Sequence, residues 1–231
     1  MKYKKKYSIG HMFCDRYGYL TMRNLASLMF DVSFEQASIL EKDIDMEKFR
    51  WIAYSWEIDI KKHVKLDDKI EITTIPTHMN RFYAYRDFVV EKNGEILALA
   101  KSVFLLMDID RLRPVKILDE LVKAYGREEE VFISYDVKLE KDLDYIKDIQ
   151  IRKADIDTNF HVNNAVYFDY INELSDVFAK DIGYIKLVYR NEIRNKKGVR
   201  ALGKKSKDEF SFALEEESAK TYAYGKMRLD V

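Results

Sequence analysis

Three polar side chains of different chemistry lie at alternate positions in the second half of the chain, at Asp157, Asn159 and His161. If this segment is extended, alternate side chains point to the same side, so a carboxylate, an amide and an imidazole would share one face. Such a set can orient a proton carrier, hold a water or carbonyl group, and accept a proton. The same residue types also form turns and cap helices, so the spacing alone leaves a purely structural role open.

The composition is that of a folded globular protein with room for one large domain or two small ones. Of the 231 residues, 47% are hydrophobic and 35% are charged, which supplies both a packed core and a wet surface. Lys plus Arg and Asp plus Glu each number 40, so the formal net charge is zero. A nucleic-acid-binding function is therefore not indicated, because such proteins usually carry a net basic surface.

Cys14 is the single cysteine. It excludes an intramolecular disulfide and a zinc site built from cysteines, and we expect it to act as a small apolar core residue. No apolar run approaches the roughly 20 residues of a membrane span. The lysines near the start are not followed by the apolar segment of a signal peptide. These features predict a protein of the reducing cytoplasm.

Hydrophobic periodicity predicts the same order of elements twice: a strand, a turn, a buried helix and several antiparallel strands. In the first half we expect strands in 3–13, 51–60, 69–75, 82–90 and 95–107, a helix from Asn24, and a tight hairpin at Asn93-Gly94. In the second half we expect strands in 132–144, 184–193, 210–214 and 221–229, and a helix from Tyr167 to Phe178. Segment 108–130 forms the crossing between the halves.

The two halves align as a weak internal repeat. When Asp15 is placed on Asp155, the residues opposite Asp157, Asn159 and His161 are Tyr17, Tyr19 and Thr21. Residues 52–60 then fall on 185–193, which places Asp59 opposite Glu192. Because only the second copy has the full polar set, we infer that the second half does the chemistry and that the first half contributes fold and substrate pocket.

The segment 155–164, followed by Tyr189-Arg190-Asn191-Glu192, resembles the acyl-acyl carrier protein thioesterases, a group that includes plant plastid enzymes. The resemblance implies an α+β architecture: a tandem double hot-dog fold, each half a long helix wrapped by an antiparallel β-sheet. It predicts a non-catalytic N-terminal domain at 1–128 that holds the acyl pocket. It also predicts a catalytic C-terminal domain at 129–231.

The resemblance further implies hydrolysis of a fatty acyl thioester by Asp157, Asn159, His161 and Glu192, with no cofactor and no metal. Plant relatives carry a cysteine directly after the glutamate, whereas this chain has Ile193, so a thiolate nucleophile at that position is excluded. We expect water to attack, with Glu192 as general base or, as an alternative, as direct nucleophile. Asn159 and His161 would donate hydrogen bonds and Asp157 would orient them, but the division of these roles stays open.

A basic segment at 190–207 contains eight Lys and Arg residues and a single acid, Glu192. Acyl carrier proteins of this pathway are acidic, so the segment predicts a docking surface, although a solvated hairpin would look the same. The alternatives are a coenzyme A thioesterase and a non-catalytic acyl-carrier-binding protein. A further homodimer is also left open. Candidate residues of the acyl pocket are Leu25, Met29, Phe30, Phe82 and Phe104, and the preferred chain length is not given by the sequence.

Overall fold

The computed structural model describes residues 1–134, 140, 142–175 and 177–230, and it contains the predicted elements of both halves. The first half comprises β1 (Tyr3–Ser8), α1 (Met22–Leu40), β2 (Phe49–Ile60), β3 (Lys69–Asn80), β4 (Tyr83–Lys92) and β5 (Glu95–Asp108). The crossing comprises β6 (Arg113–Pro114) and α2 (Asp119–Tyr125). The second half comprises β7 (Asp144–Gln150), α3 (Val166–Asn172), β8 (Ile182–Tyr189), β9 (Gly198–Ser206), β10 (Glu209–Glu215) and β11 (Thr221–Leu229).

The strands form one antiparallel sheet in the order β1-β3-β4-β5-β2-β8-β11-β10-β9-β7, and β6 pairs with β5. The order is the same in both halves when it is read outward from the β2–β8 junction. Each half therefore contributes five strands and a helix, and the halves join through β2 and β8, the edge strand of each half. This is the α+β double hot-dog architecture that the sequence predicts.

The long helix α1 spans 19 residues and begins at a Thr21 cap, whose hydroxyl accepts the Asn24 N–H. Apolar side chains recur along one face and are buried against the sheet, among them Leu25, Met29 and Val32. On the facing sheet, Trp56 is fully buried. This packing fixes the distance between the helix and the first half of the sheet.

A pseudo-twofold axis crosses the β2–β8 junction. The paired residues run from Ser55 with Val188 to Asp59 with Tyr184, and the central pair is Glu57 with Lys186. The Lys186 ammonium lies 2.9 Å from the Glu57 carboxylate, and the Tyr184 hydroxyl donates to the same carboxylate at 3.0 Å. Glu57 is only 4% exposed, so an ion pair on the axis neutralises a charge that would otherwise be costly to bury.

The structure corrects the register of the predicted repeat by two positions. The Asp15 N–H donates to the Tyr19 carbonyl at 2.8 Å. In the second half the Asp157 N–H donates in the same way to the His161 carbonyl at 2.9 Å. Asp15 is therefore equivalent to Asp157, not to Asp155, and His161 is equivalent to Tyr19.

The residue opposite Glu192 also changes. Matching hydrogen bonds join the Leu20 N–H to the Val64 carbonyl and the Val162 N–H to the Ile193 carbonyl. They place Glu192 opposite His63, not opposite Asp59. The correction here is four positions, and the sequence alignment failed because alternating apolar and polar residues fit equally well after a shift by any even number of positions.

Several predicted elements have different ends in the structure. The helix α3 spans seven residues and ends at Asn172, so the prediction that it reaches Phe178 is wrong. The Phe178 ring instead packs edge-to-face against Tyr17 in the first half, with ring centroids 4.7 Å apart. The predicted strand at 184–193 ends at Tyr189, and the strand predicted at 132–144 begins only at Asp144 and lies partly outside the described residues. Among the helices of the described residues, none is long and apolar enough to cross a membrane.

Candidate active site

The segment from Asp157 to His161 is a tight turn, so the prediction that it is extended is wrong. The Phe160 N–H donates to the Asp157 carbonyl at 3.0 Å, and the Asp157 N–H donates to the His161 carbonyl at 2.9 Å. The Asp157 side chain also accepts the Asn159 N–H at 2.8 Å. The Asp157 carboxylate thus stabilises the turn that contains it, as Asp side chains commonly do. The turn, not an extended conformation, brings the side chains of Asp157 and His161 to the same side.

His161 lies between two carboxylates. Its Nδ1 is 3.6 Å from Asp157 Oδ2 and 3.2 Å from the Val162 carbonyl, and its Nε2 is 3.9 Å from Glu192 Oε1. The two carboxylate distances are longer than hydrogen bonds, as is common in catalytic sites without substrate. The His161 and Asp157 side chains are 12% and 17% exposed, whereas Glu192 is 36% exposed, so the imidazole faces the surface on its Glu192 side.

Asn159 lies at the tip of the turn and is exposed. Its backbone N–H is held by Asp157, so the position of its Cα is fixed while the amide points away from the core. The structure therefore places His161 within 4 Å of both Asp157 and Glu192, one carboxylate near each ring nitrogen. It leaves the Asn159 side chain at the rim of this group.

Arg194 is a neighbour of Glu192 that the sequence reasoning assigned only to the basic segment. Its Nε donates to Glu192 Oε2 at 2.6 Å. The second carboxylate oxygen, Oε1, faces His161. The guanidinium thus holds one oxygen of Glu192 and directs the other towards the imidazole.

Asp155 anchors the start of the turn formed by residues 157–161, the candidate catalytic turn. It is 1% exposed and accepts hydrogen bonds from the Arg152 guanidinium at 2.8 Å and from the Tyr170 hydroxyl at 2.8 Å. Burial acts to raise the pKa of the Asp155 carboxyl, but the hydrogen bonds from Arg152 and Tyr170 outweigh it and hold the pKa below its ordinary value. The carboxylate therefore ties the turn to α3.

Two buried tyrosines connect the turn to the segment that carries Glu192. The Tyr189 hydroxyl donates to the Asn164 carbonyl at 2.7 Å, and the rings of Tyr167 and Tyr189 meet edge-to-face at 5.1 Å. Burial raises the pKa of both phenols well above the ordinary value, so both stay neutral and serve as hydrogen-bonding and packing groups. The apolar spacing of α3 already indicated Tyr167, but nothing in the sequence indicated the Tyr189 contact.

Most backbone N–H groups at the start of α3 already donate to partners within the chain. The N–H of Asn163 donates to the Asp155 carbonyl, and that of Val166 donates to the Asn163 carbonyl. The N–H of Ala165 donates to the Asn163 side chain. The side chains of Asn159 and His161 are therefore better candidates than these N–H groups as donors to a ligand oxygen.

The equivalent turn of the first half has no such constellation. Tyr19 takes the place of His161, and its ring meets the His63 ring edge-to-face at 5.9 Å. Asp15 keeps the backbone bonds of Asp157, accepting the Tyr17 N–H at 2.9 Å. Within the described residues, no group of three His, Cys, Asp or Glu side chains is arranged to hold a metal ion.

Family models and curated sequences agree with this architecture. The model of the acyl-ACP thioesterase N-terminal domain matches residues 1–125, and that of the C-terminal domain matches residues 138–228. The oleoyl-acyl carrier protein thioesterase 1 of Arabidopsis thaliana is 25% identical over 219 residues, which are 83% of this chain and 60% of that protein. The chain thus spans less than two thirds of the length of this relative.

Solved structures show the same fold. An oleoyl thioesterase from Lactobacillus plantarum is 26% identical, with a TM-score of 0.86 over 100% of this chain and 96% of its own. An acyl-ACP thioesterase from Bacteroides thetaiotaomicron is 18% identical, with a TM-score of 0.90 over 99% of this chain and 98% of its own. The fold is that of a double hot-dog protein, and the grouped polar side chains occur in its second half but not at the equivalent turn of the first half. The chain belongs to the acyl-ACP thioesterase family.

Proposed function

We propose that this protein hydrolyses the thioester that joins a fatty acyl chain to an acyl carrier protein, in the cytoplasm. The observation that carries the proposal is the placement of His161 between Asp157 and Glu192, in the half that matches the C-terminal domain of the family. The division of labour follows the domains: residues 129–231 carry the chemistry and residues 1–128 hold the acyl chain. Family membership supports both assignments.

The chemistry needs only water and the side chains of the turn. Glu192 accepts a proton from a water molecule as the water oxygen bonds to the thioester carbonyl carbon. His161 and Asn159 donate to the oxygen that becomes negative, and Asp157 orients His161 from its Nδ1 side. When the carbon–sulfur bond breaks, the proton held by Glu192 or His161 passes to the departing thiolate, which leaves a free fatty acid and a free thiol.

The acyl chain is proposed to lie between α1 and the first half of the sheet. Phe30 contacts Phe34 at 5.8 Å and Trp56 at 4.9 Å between ring centroids. Phe34 is 60% exposed whereas Trp56 is fully buried, so the aromatic series leads from the surface to the core. Of the five predicted pocket residues, Leu25, Met29 and Phe104 are buried in the core, whereas Phe30 and Phe82 are half-buried. Phe30 is the better candidate because it belongs to this aromatic series.

The relation between the helices supports this path. Arg23 of α1 pairs with Asp169 of α3 at 2.6 Å. The helices therefore meet near the start of α1, and Phe30 lies about two turns further along α1.

The decisive experiment measures hydrolysis of acyl-carrier thioesters by the wild type, Glu192→Ala and Asp157→Asn. Loss of a general base typically lowers the rate by about 100-fold or more, and Asp157→Asn should lower it as well because His161 loses its orienting charge. Asp15→Asn is the matched control, since Asp15 makes the same turn without a neighbouring imidazole. Its hydrolysis rate should equal that of the wild type.

Other results point to the rival functions. Faster hydrolysis of coenzyme A esters than of carrier esters would identify a coenzyme A thioesterase. Binding of the acyl carrier without hydrolysis by the wild type would leave only a carrier-binding role. Equal loss of activity in Asp15→Asn and Asp157→Asn would mean that the turn matters for folding, not for chemistry.

A further inference from the structure

Phe160 occupies a backbone conformation that normally selects glycine. Its φ is +62°, in the left-handed region, and the equivalent residue of the first half is Gly18 with φ +79°. Both residues sit at the same place in the turn, since the Gly18 N–H and the Phe160 N–H donate to the equivalent aspartate carbonyls at 3.0 Å. A residue with a bulky side chain pays about 1–3 kcal/mol in this region. The second half therefore has a phenylalanine at a position where the backbone conformation favours glycine.

The ring of Phe160 does not contribute to the core. Its residue is 79% exposed, so the hydrophobic effect gives no reason for an aromatic side chain at this position. The neighbouring Ile156, on the other side of the turn, is a further exposed apolar residue, at 38%. Strain and exposure together mean that the folded state alone does not explain this phenylalanine.

The position of Phe160 is at the entrance to the candidate active site. It lies between Asn159 and His161 in the chain, and the segment of Glu192 and Arg194 is joined to the turn by the Val162 N–H. The acyl chain leads inward from this point, whereas the ring points out to solvent. The Phe160 ring is therefore positioned to contact the thiol-bearing part of the substrate, on the side of the thioester opposite the acyl chain.

We infer that Phe160 packs against the phosphopantetheine arm that presents the thioester, and that it is a specificity residue for this arm. The arm contains a gem-dimethyl group and flat amides, which offer apolar and planar surface to a phenyl ring. The turn holds the ring in one place before the substrate arrives, so little ordering is needed on binding. The inference rests on the proposed function for the identity of the arm.

The test compares thioesters of one acyl chain with three different thiols: the acyl carrier protein, coenzyme A and N-acetylcysteamine. The first two have the complete phosphopantetheine arm, and the third retains only its last unit. In Phe160→Gly, kcat/KM should fall about tenfold more for the two complete arms than for N-acetylcysteamine, as expected when about half of a phenyl ring loses its contact. Met12→Ala, which removes an 84% exposed apolar side chain from the first half, should show no such difference.

A second variant separates the ring from the backbone. Phe160→Ala also removes the ring but keeps the strain, so it should lose the same activity as Phe160→Gly. Phe160→Gly should unfold about 2–4 °C above Phe160→Ala, since glycine relieves the left-handed strain. A loss of activity in Phe160→Ala that Phe160→Gly restores would overturn the inference and assign the effect to the backbone.

Two further outcomes would contradict it. An equal loss with all three thiols would place the ring at the chemical step, and a loss confined to the carrier would place it against the carrier protein. Calorimetric binding of coenzyme A to the wild type and to Phe160→Gly gives a readout without hydrolysis. If the wild type binds more tightly but hydrolyses nothing, the proposed function fails while the arm contact stands.

Discussion

Asp155 and Asp157 are two residues apart and have separate tasks. Asp155 is buried and binds Arg152 and Tyr170, whereas Asp157 closes the turn and faces His161. From the sequence, both were equally good matches to Asp15. The residue types of the site were thus predictable, but the alignment was not, because the sequence does not show which carboxylate is enclosed.

Asp155→Asn should reduce the free energy of unfolding by about 2 kcal/mol at pH 7, since the variant loses charge-assisted hydrogen bonds to Arg152. The folded-state pKa of Asp155 lies below its ordinary value. The stabilisation is therefore complete above the unfolded pKa of about 4 and is lost as the pH falls through the lower folded pKa. Urea unfolding of the wild type and the variant between pH 7 and pH 2.5 measures this difference.

The control for this prediction is Asp148→Asn, which changes an exposed carboxylate of β7. Its difference from the wild type should stay near zero at every pH. A constant difference between the wild type and Asp155→Asn down to the lowest pH would show that shape, not charge, makes Asp155 stabilising.

Among the secondary-structure elements, the presence of a strand was predicted more accurately than the residues at which it begins and ends. The strand β8 was expected to include Glu192, but it ends at Tyr189, where the chain leaves the sheet and turns towards the candidate catalytic turn. Ile193 is apolar and fully buried, although it lies outside the strand and three polar residues separate it from Tyr189. Burial and strand pairing give the same sequence pattern, so the pattern could not show where pairing stops.

The basic segment 190–207 is divided by its ion pairs. Arg194 binds Glu192 and Lys196 binds Glu216, so these two cations are partly neutralised. Lys197 and Lys204 are exposed and are better candidates for a docking surface. Lys197 lies directly before β9, and Lys204 lies within it.

The double variant Lys197→Glu/Lys204→Glu should raise the KM for acyl-carrier substrate about tenfold at low salt and leave N-acetylcysteamine thioesters unaffected. The effect should shrink at high salt, because surface charges are screened. Lys2→Glu/Lys6→Glu is the matched control, since it makes the same charge change in the exposed lysines near β1. Equal effects of the two double variants would argue against docking at the basic segment.

All strands of the two halves belong to one sheet, and the halves are joined where β2 pairs with β8. Glu57 and Lys186 pair at the centre of this junction. The double hot-dog architecture was predicted from the resemblance and the repeated order of elements. The central ion pair was not, because Glu57 reads as one of the solvated charges that alternate with apolar residues along β2.

Glu57→Gln should lower the free energy of unfolding by about 3 kcal/mol, because it removes a buried carboxylate that accepts from Tyr184 and pairs with Lys186. Both tryptophans, Trp51 and Trp56, belong to the first half, so their fluorescence reports that half, whereas far-ultraviolet circular dichroism reports both. The two urea transitions should coincide in the wild type and in the variant. A fluorescence transition at a different urea concentration would show that the halves unfold independently.

In a symmetric dimer of identical chains, every substitution occurs twice, so neither copy of a site can change alone. Here the two turns belong to one chain, and Tyr19 and His63 stand where the second half has His161 and Glu192. If the proposed site is the active site, each chain has one reaction centre per pair of folding units. An inhibitor directed at that centre should titrate at one equivalent per polypeptide, without cooperativity between the halves.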